Sequence, residues 1–348
     1  MSFSNTLIYW YLQNKRDLPW RKTKNPYFIW LSEIILQQTR VNQGLDYYNK
    51  FITSFPTVFE LAEASEESVL KLWQGLGYYS RARNLHYSAR YIVNELNGIF
   101  PKSYNELLKL KGVGDYTASA IASISFNEPT AVVDGNVYRV LARYFGLNTT
   151  INSTKGIKEF KELAQQLIPT EKPDIYNQAI MEFGAVQCKP QNPDCNVCPL
   201  NTGCVALQKD QVAAFPVKGK KNSIKKRYFN YLVVCDIDGR ILLRQRRNKD
   251  IWQGLYEFPL VETSNGIQIK ELVNIPSYKR IIFNKKASVC LFNTREIIHK
   301  LTHQHLYTKF WIIEIDQKIE KSISWCDFEK YPVPVLIHNF VENFKTKA

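Results

Sequence analysis

From residue 1 to about 208, apolar side chains recur at three- and four-residue spacing, and capping or breaking residues separate the runs. This pattern predicts a succession of amphipathic helices. Pro56, Ser65 ahead of Glu66 and Glu67, Gly98 after Asn97, Pro101, Gly146 and Pro173 fall where such helices would start or stop. Beyond Arg227 the texture changes. Tyr228 to Cys235 and Arg240 to Arg246 alternate or run apolar around Asp236-Ile237-Asp238-Gly239, which predicts a hairpin. Further strands are expected at 287–293, 295–302 and 305–315. The expected architecture is multidomain, with an all-α domain over 1–210, a linker over 211–227 and a smaller α+β domain over 228–348.

Length agrees with two cores, since 348 residues exceed the usual size of one compact domain. With 45% hydrophobic and 22% charged residues, the chain is neither disordered nor membrane-like in composition. Its net charge of +14 suits a polyanionic partner such as nucleic acid, although charge alone fits a merely basic protein equally well. The linker concentrates this charge in Lys218, Lys220, Lys221, Lys225, Lys226 and Arg227, either a solvated run or a strap across a DNA backbone. Met1 to Leu12 lacks the features of a signal peptide and reads as a first helix, and no stretch could span a bilayer. A cytoplasmic, nucleoid-associated location away from membranes is expected.

Four of the seven cysteines crowd together as Cys188-x6-Cys195-x2-Cys198-x5-Cys204, with Pro190, Pro193 and Pro199 bending the chain between them. Clustered soft thiolates without a secretory signal point to metal, and the donor chemistry fits either a four-iron four-sulfur cluster or structural zinc. A second motif is Leu107 to Ala118, where Gly112-Val113-Gly114 joins two helical patterns in the form of a helix-hairpin-helix. Glycines there let backbone approach a phosphate, and amides at the next helix start face the anion. Twenty residues further on, Asp134 precedes the helical run from Tyr138 to Arg143; by itself it reads as an N-cap. Glu33 lies within the apolar run Trp30 to Leu36, where burial would raise its pKa toward neutrality, while an exposed helical glutamate is the plainer alternative.

Taken with Leu18-Pro19-Trp20-Arg21, Ser32 to Val41, Gly75 to Leu85 and Val133 to Val137, these motifs resemble the MutY family of adenine DNA glycosylases over about residues 10 to 208. Trp252 to Pro259 is similar to that family's Nudix-like recognition domain. The resemblance implies a four-iron four-sulfur cluster on Cys188, Cys195, Cys198 and Cys204. It also implies a monomer acting on double-stranded DNA with adenine opposite 8-oxoguanine or guanine. Adenine must leave the stack to be reached. By resemblance Glu33 donates the proton that makes adenine a neutral leaving group, Asp134 stabilises the sugar cation, Asn136 orients the carboxylates, and Trp20 and Glu182 support them. Arg21, Gln38, Thr39, Leu76 and Tyr78 are expected at the DNA, together with Gly112, Val113 and Gly114 of the hairpin. Tyr116 stands where endonuclease III relatives carry the lysine that breaks the strand through a Schiff base, so base removal without an efficient lyase step is expected.

The C-terminal region lacks the acidic Nudix box needed to hold magnesium, so it should recognise rather than cut. Leu301-Thr302-His303 aligns with the family's Phe-Ser-His reader of the oxidised guanine. Two other readings are a pyrimidine glycosylase with lyase activity, opposed by Tyr116 and the C-terminal domain, and a non-catalytic damage sensor, opposed by the presence of both Glu33 and Asp134.

Overall fold

The computed structural model describes residues 2–219, 223–283 and 285–346. Two residues of the expected basic strap, Lys220 and Lys221, lie outside the described residues. The chain divides into two compact units, residues 1–63 with 84–220, and residues 64–83 with 221–348.

The first unit is helical, as the three- and four-residue spacing requires. It contains α1 (Phe3–Asn14), α2 (Pro26–Leu36), α3 (Val41–Ser54) and α4 (Val58–Glu63). After α5 (Glu66–Leu72), which belongs to the second unit, come α6 (Ser80–Leu96), α7 (Tyr104–Leu107), α8 (Asp115–Phe126), α9 (Gly135–Phe145), α10 (Thr154–Leu167), α11 (Pro173–Val186) and α12 (Val205–Gln208). The boundary signals act where expected. Ser65 caps α5 by accepting from Ser68 N, and Pro173 is in the first turn of α11. Gly146 ends α9 at φ +69°, in the left-handed region open to glycine. α2 carries eight buried side chains from Tyr27 to Ile35 and packs on α3 and α8, so its one carboxylate is enclosed with them.

The second unit is built on β1 (Lys225–Cys235), β2 (Arg244–Gln245), β3 (Tyr256–Glu257), β4 (Leu260–Thr263), β5 (Ala287–Leu291), β6 (Ile297–Lys300) and β7 (Gln304–Ile315), with α13 (Ile269–Leu272), α14 (Pro276–Ile282) and α15 (Val335–Lys345). β1 and β7 pair in parallel from Lys225↔Gln304 to Cys235↔Glu314, while β4 joins β1, and β5 and β6 join β7, all antiparallel. One face of the sheet places Leu232, Val234, Trp311 and Ile313 against Leu272, Tyr278 and Ile282. On α15, Phe340 stacks on Phe310 with centroids 4.0 Å apart. Coverage on both faces explains why β1 and β7 read as apolar runs rather than clean alternation.

By its contacts segment 64–83 groups with the C-terminal residues: Lys71 donates to Tyr331 O, Gln74 accepts from Val333 N, and Arg83 donates to Gln253 O at 2.5 Å. Two strand expectations are corrected. The turn at Asp236 forms, with Gly239 at φ +72°, but the expected return strand over 240–246 reduces to a bridge at Ile241 and the two-residue β2. Arg246 explains part of this, since its guanidinium binds Ile251 O, Glu257 and Asp250 and curls the chain. The expected strand 295–302 stops at Lys300, because Leu301–His303 form the turn into β7. Among the described residues, no helix is long and apolar enough to cross a membrane.

Candidate active site

Four elements of the first unit enclose a cavity of about 200 Å³, which Glu33, Tyr116, Asp134, Asn136 and Glu182 all line. Its volume is below the roughly 300–1,000 Å³ of sites for drug-sized ligands and suits a single small ring system. Glu33 comes from α2, Tyr116 from the first turn of α8, Asp134 and Asn136 from the start of α9, and Glu182 from α11. Glu33 and Asp134 therefore share one cavity.

Glu33 is buried, and its pKa is pushed up to about 7. Loss of water is the main cause; the neighbouring Asp134 adds to it, whereas a hydrogen bond to Tyr116 and the charge of Arg21 oppose it. Burial also raises Asp134, partly offset by the bonds it accepts. Those bonds make it the N-cap of α9, and it lines the cavity as well. Oδ1 accepts from the amides of Asn136 and Val137 at 2.9 and 2.8 Å, and Oδ2 accepts from Asn136 Nδ2 at 2.7 Å.

At Glu182 burial alone would raise the pKa, but hydrogen bonds from Arg16 and Arg21 outweigh it and hold the carboxyl down at about 2. Arg16 binds it at 2.6 and 2.7 Å and Arg21 at 2.7 Å. Arg21, expected at the DNA, is thus a largely buried ion-pair partner inside the cavity. Trp20 also lines the cavity and packs edge-on against Tyr48. Thr39 reaches the same wall, while Gln38 is exposed at φ +54° just beyond α2.

In the hairpin, Gly112 has φ +85° and faces Asn84 closely, Val113 is buried, and Gly114 caps α8 with open space where a side chain would project. Gly114 is therefore not demanded by packing. Free amides at the α8 start and an unobstructed backbone make this turn accessible to an anion.

Sequence reasoning missed Arg139 and Arg143. Arg139 donates to Asn136 Oδ1 at 2.8 Å, to Gly184 O at 2.6 Å and to Cys188 O at 2.7 Å, joining the cysteine loop to the residue that holds Asp134. Arg143 binds Lys189 O at 2.7 Å and Cys188 Sγ at 3.4 Å. Two arginines one turn apart on a helix that buries Val137, Val140 and Leu141 are a signal that could have found them.

Cys188, Cys195, Cys198 and Cys204 are all free and half-buried, and Cys198 feels the charge of the other three. No three His, Cys, Asp or Glu among the described residues form a group able to hold a single ion. Four soft donors, with Cys188 at the Arg143 guanidinium, nevertheless fit by their chemistry a multinuclear group whose thiolate charge needs balancing.

A second cavity, of about 360 Å³, belongs wholly to the second unit and is lined by Leu76, Tyr78, Trp252, Leu301, Thr302 and His303 among others. The hydroxyls of Tyr78 and Thr302 are hydrogen-bonded. Tyr78, at φ +48°, is 45% exposed, whereas Leu76 is 8% exposed, so the tyrosine is the better presented of the two. Left-handed backbone costs a residue bearing a Cβ roughly 1–2 kcal/mol, so this loop is held against its intrinsic preference.

These features define a base-excision repair protein of the helix-hairpin-helix class. Residues 31–169 match the model of the HhH-GPD superfamily of base excision DNA repair proteins, and residues 230–343 match a NUDIX domain. A thermostable thymine-DNA glycosylase structure aligns with a TM-score of 0.56 and 32% identity, covering 60% of this chain and 95% of the other. An endonuclease III structure in complex with DNA, 24% identical with a TM-score of 0.52 over 60% of this chain and 94% of its own, shares the fold. The adenine DNA glycosylase of Buchnera aphidicola subsp. Baizongia pistaciae is 37% identical over 89% of this chain and 86% of its own, and that of Mus musculus 35% over 91% and 71%. The chain belongs to the adenine DNA glycosylase family and is a DNA glycosylase that hydrolyses N-glycosyl bonds.

Proposed function

We propose that the protein excises adenine lying opposite 8-oxoguanine or guanine in duplex DNA and leaves the strand unbroken. The observation that supports this best is the shared cavity of Glu33 and Asp134, in which Glu33 is protonated in a substantial fraction of molecules near pH 7. Once adenine has been flipped out, the Glu33 carboxyl donates a proton to the purine, so that the base leaves neutral as the C–N bond breaks. Asp134, held by the α9 amides and Asn136, faces the developing sugar cation as a carboxylate. Water then adds at the sugar carbon, and the deprotonated Glu33 is available to accept its proton. Tyr116 offers a phenol where a Schiff-base mechanism needs an amine, which supports hydrolysis without strand cleavage.

Cys188, Cys195, Cys198 and Cys204 would hold a four-iron four-sulfur cluster, which when bound supplies a covalent cross-link fixing this loop. Through Cys188 O and Arg139 the loop supports Asn136. Gly112 to Gly114 and Gln38 are proposed to meet DNA, Tyr78, Thr302 and His303 the oxidised guanine, and Arg21 to serve in the cavity rather than at phosphate. Leu301 stands where the family has an aromatic ring. The protein is proposed to work as a monomer on chromosomal DNA in the cytoplasm.

A glycosylase assay on an 8-oxoguanine:adenine duplex, with and without alkali, tests the proposal. Strand breaks should require alkali; breaks of equal extent without it, or no adenine release, would refute it.

A further inference from the structure

The loop that carries Tyr78 departs from ordinary backbone at Gly75, Gly77 and Tyr78, with φ of +103°, +72° and +48°. A Cβ at Gly77 would meet nothing within 4 Å, so packing around that position does not impose the bend. The restraint comes from behind. Arg81, buried in the first turn of α6, donates Nη2 to Leu76 O at 3.4 Å and to Gly77 O at 3.2 Å. Its guanidinium carbon is 5.0 Å from the Trp73 ring centre and 5.7 Å from that of Tyr78. Trp73 Nε1 donates to the same Gly77 carbonyl at 3.0 Å.

We propose that Arg81 is a positioning residue for mispair recognition: it holds the Leu76-Gly77-Tyr78 loop in its left-handed bend and presents the Tyr78 ring to the duplex. The inference rests on the reading above that Tyr78 engages the mispair. One guanidinium nitrogen reaches both carbonyls while the group lies over two rings, which an ammonium reproduces only in part. Burial lowers the Arg81 pKa to about 10, opposed by Tyr78, so the cation persists at neutral pH. When the clamp is lost the presenting conformer becomes a minority, and affinity falls by the fraction that remains. The chemistry in the other cavity is untouched.

The test uses the full chain and a duplex with 8-oxoguanine opposite a non-hydrolysable adenosine analogue for affinity, and the natural duplex for single-turnover rate at saturating protein. Arg81→Gln should weaken binding about 10-fold or more while the saturated rate stays within about 3-fold. Arg81→Lys should restore part of the affinity, and it replaces Arg81→Gln as the main variant if the latter fails to fold by thermal melting. Combined with Tyr78→Ala, either substitution should add little to the loss caused by Tyr78→Ala alone. Unchanged affinity, additive losses, or a rate that falls in step with affinity would overturn the positioning role. If Tyr78→Ala weakens binding and the Arg81 variants do not, the recognition reading survives and this inference fails. If neither weakens it, both fail.

Discussion

Asn136 donates to Asp134 Oδ2 at 2.7 Å while its own side-chain carbonyl accepts from Arg139 at 2.8 Å, so the carboxylate proposed to stabilise the sugar cation is held by a side chain that is itself held. The amide has both ends occupied, which fixes its orientation and, through it, the position of Asp134 Oδ2.

Gly184 guards this arrangement. A Cβ there would be 2.6 Å from Asn136 Cβ and 2.9 Å from its carbonyl oxygen. Gly184→Ala is expected to push α9 from α11, costing about 1–3 kcal/mol in stability. Displacement of Asp134 should slow single-turnover adenine release on the order of 10–100-fold, measurable in the rapid-quench assay. An unchanged rate would show that Asn136 does not position the carboxylate.

Glu33 must be protonated to act as acid, and Asp134 ionised to stabilise a cation. With Glu33 near 7, kcat/KM should fall about tenfold per pH unit above that value, and the acid limb should be displaced upward because burial raises Asp134. Glu33→Gln should reduce the rate about 10²–10⁴-fold and remove the alkaline limb. A pH profile that is flat from 6 to 9 in the unsubstituted protein would contradict the assignment.

Glu182 carries the opposite shift. Its folded pKa, near 2, is below the unfolded value, so its stabilising effect is complete above about 4.5 and is lost as pH falls toward 2. Glu182→Gln should destabilise the protein by about 3 kcal/mol at pH 7, near the low end for a buried ion pair because the Arg16 side chain is 38% exposed, and should flatten the acid limb of a melting curve.

Protein prepared under anaerobic conditions should be brown, with about four irons per chain. Cys198→Ser should diminish the colour and lower the melting temperature. Colourless, iron-free protein of full activity would remove the cluster from this account.

For the reader turn, replacing Thr302 and His303 together by Ala should reduce the preference for 8-oxoguanine over guanine opposite adenine about 5-fold or more, since Thr302 binds the Tyr78 hydroxyl and both side chains are exposed at the cavity. Competition between the two duplexes measures the ratio directly.

Residues whose role depends on nearest neighbours in sequence were legible before any coordinates. Gly112 in its turn and Asp134 as the cap of α9 announce themselves through local pattern, whereas the roles expected of Asp134 and Glu33 come from the family resemblance. Arg16, Arg81 and Arg139 do not announce themselves, because an arginine looks the same in sequence whether it meets water or an acceptor brought close by packing. Arg21 is expected at the DNA from the family resemblance, and its pairing with a glutamate 161 positions away leaves no mark in its own segment. The grouping of 64–83 was likewise hidden, since it depends on partners such as Tyr331 and Gln253.

The parallel pairing of β1 with β7 sets the order in which this protein can be built. About eighty residues separate the partners, so a nascent chain emerging from the ribosome displays an apolar ribbon from Tyr228 to Cys235 long before its mate is synthesised. A premature stop between Cys235 and Gln304 would leave that ribbon without its parallel partner, making such truncated products candidates for aggregation and proteolysis.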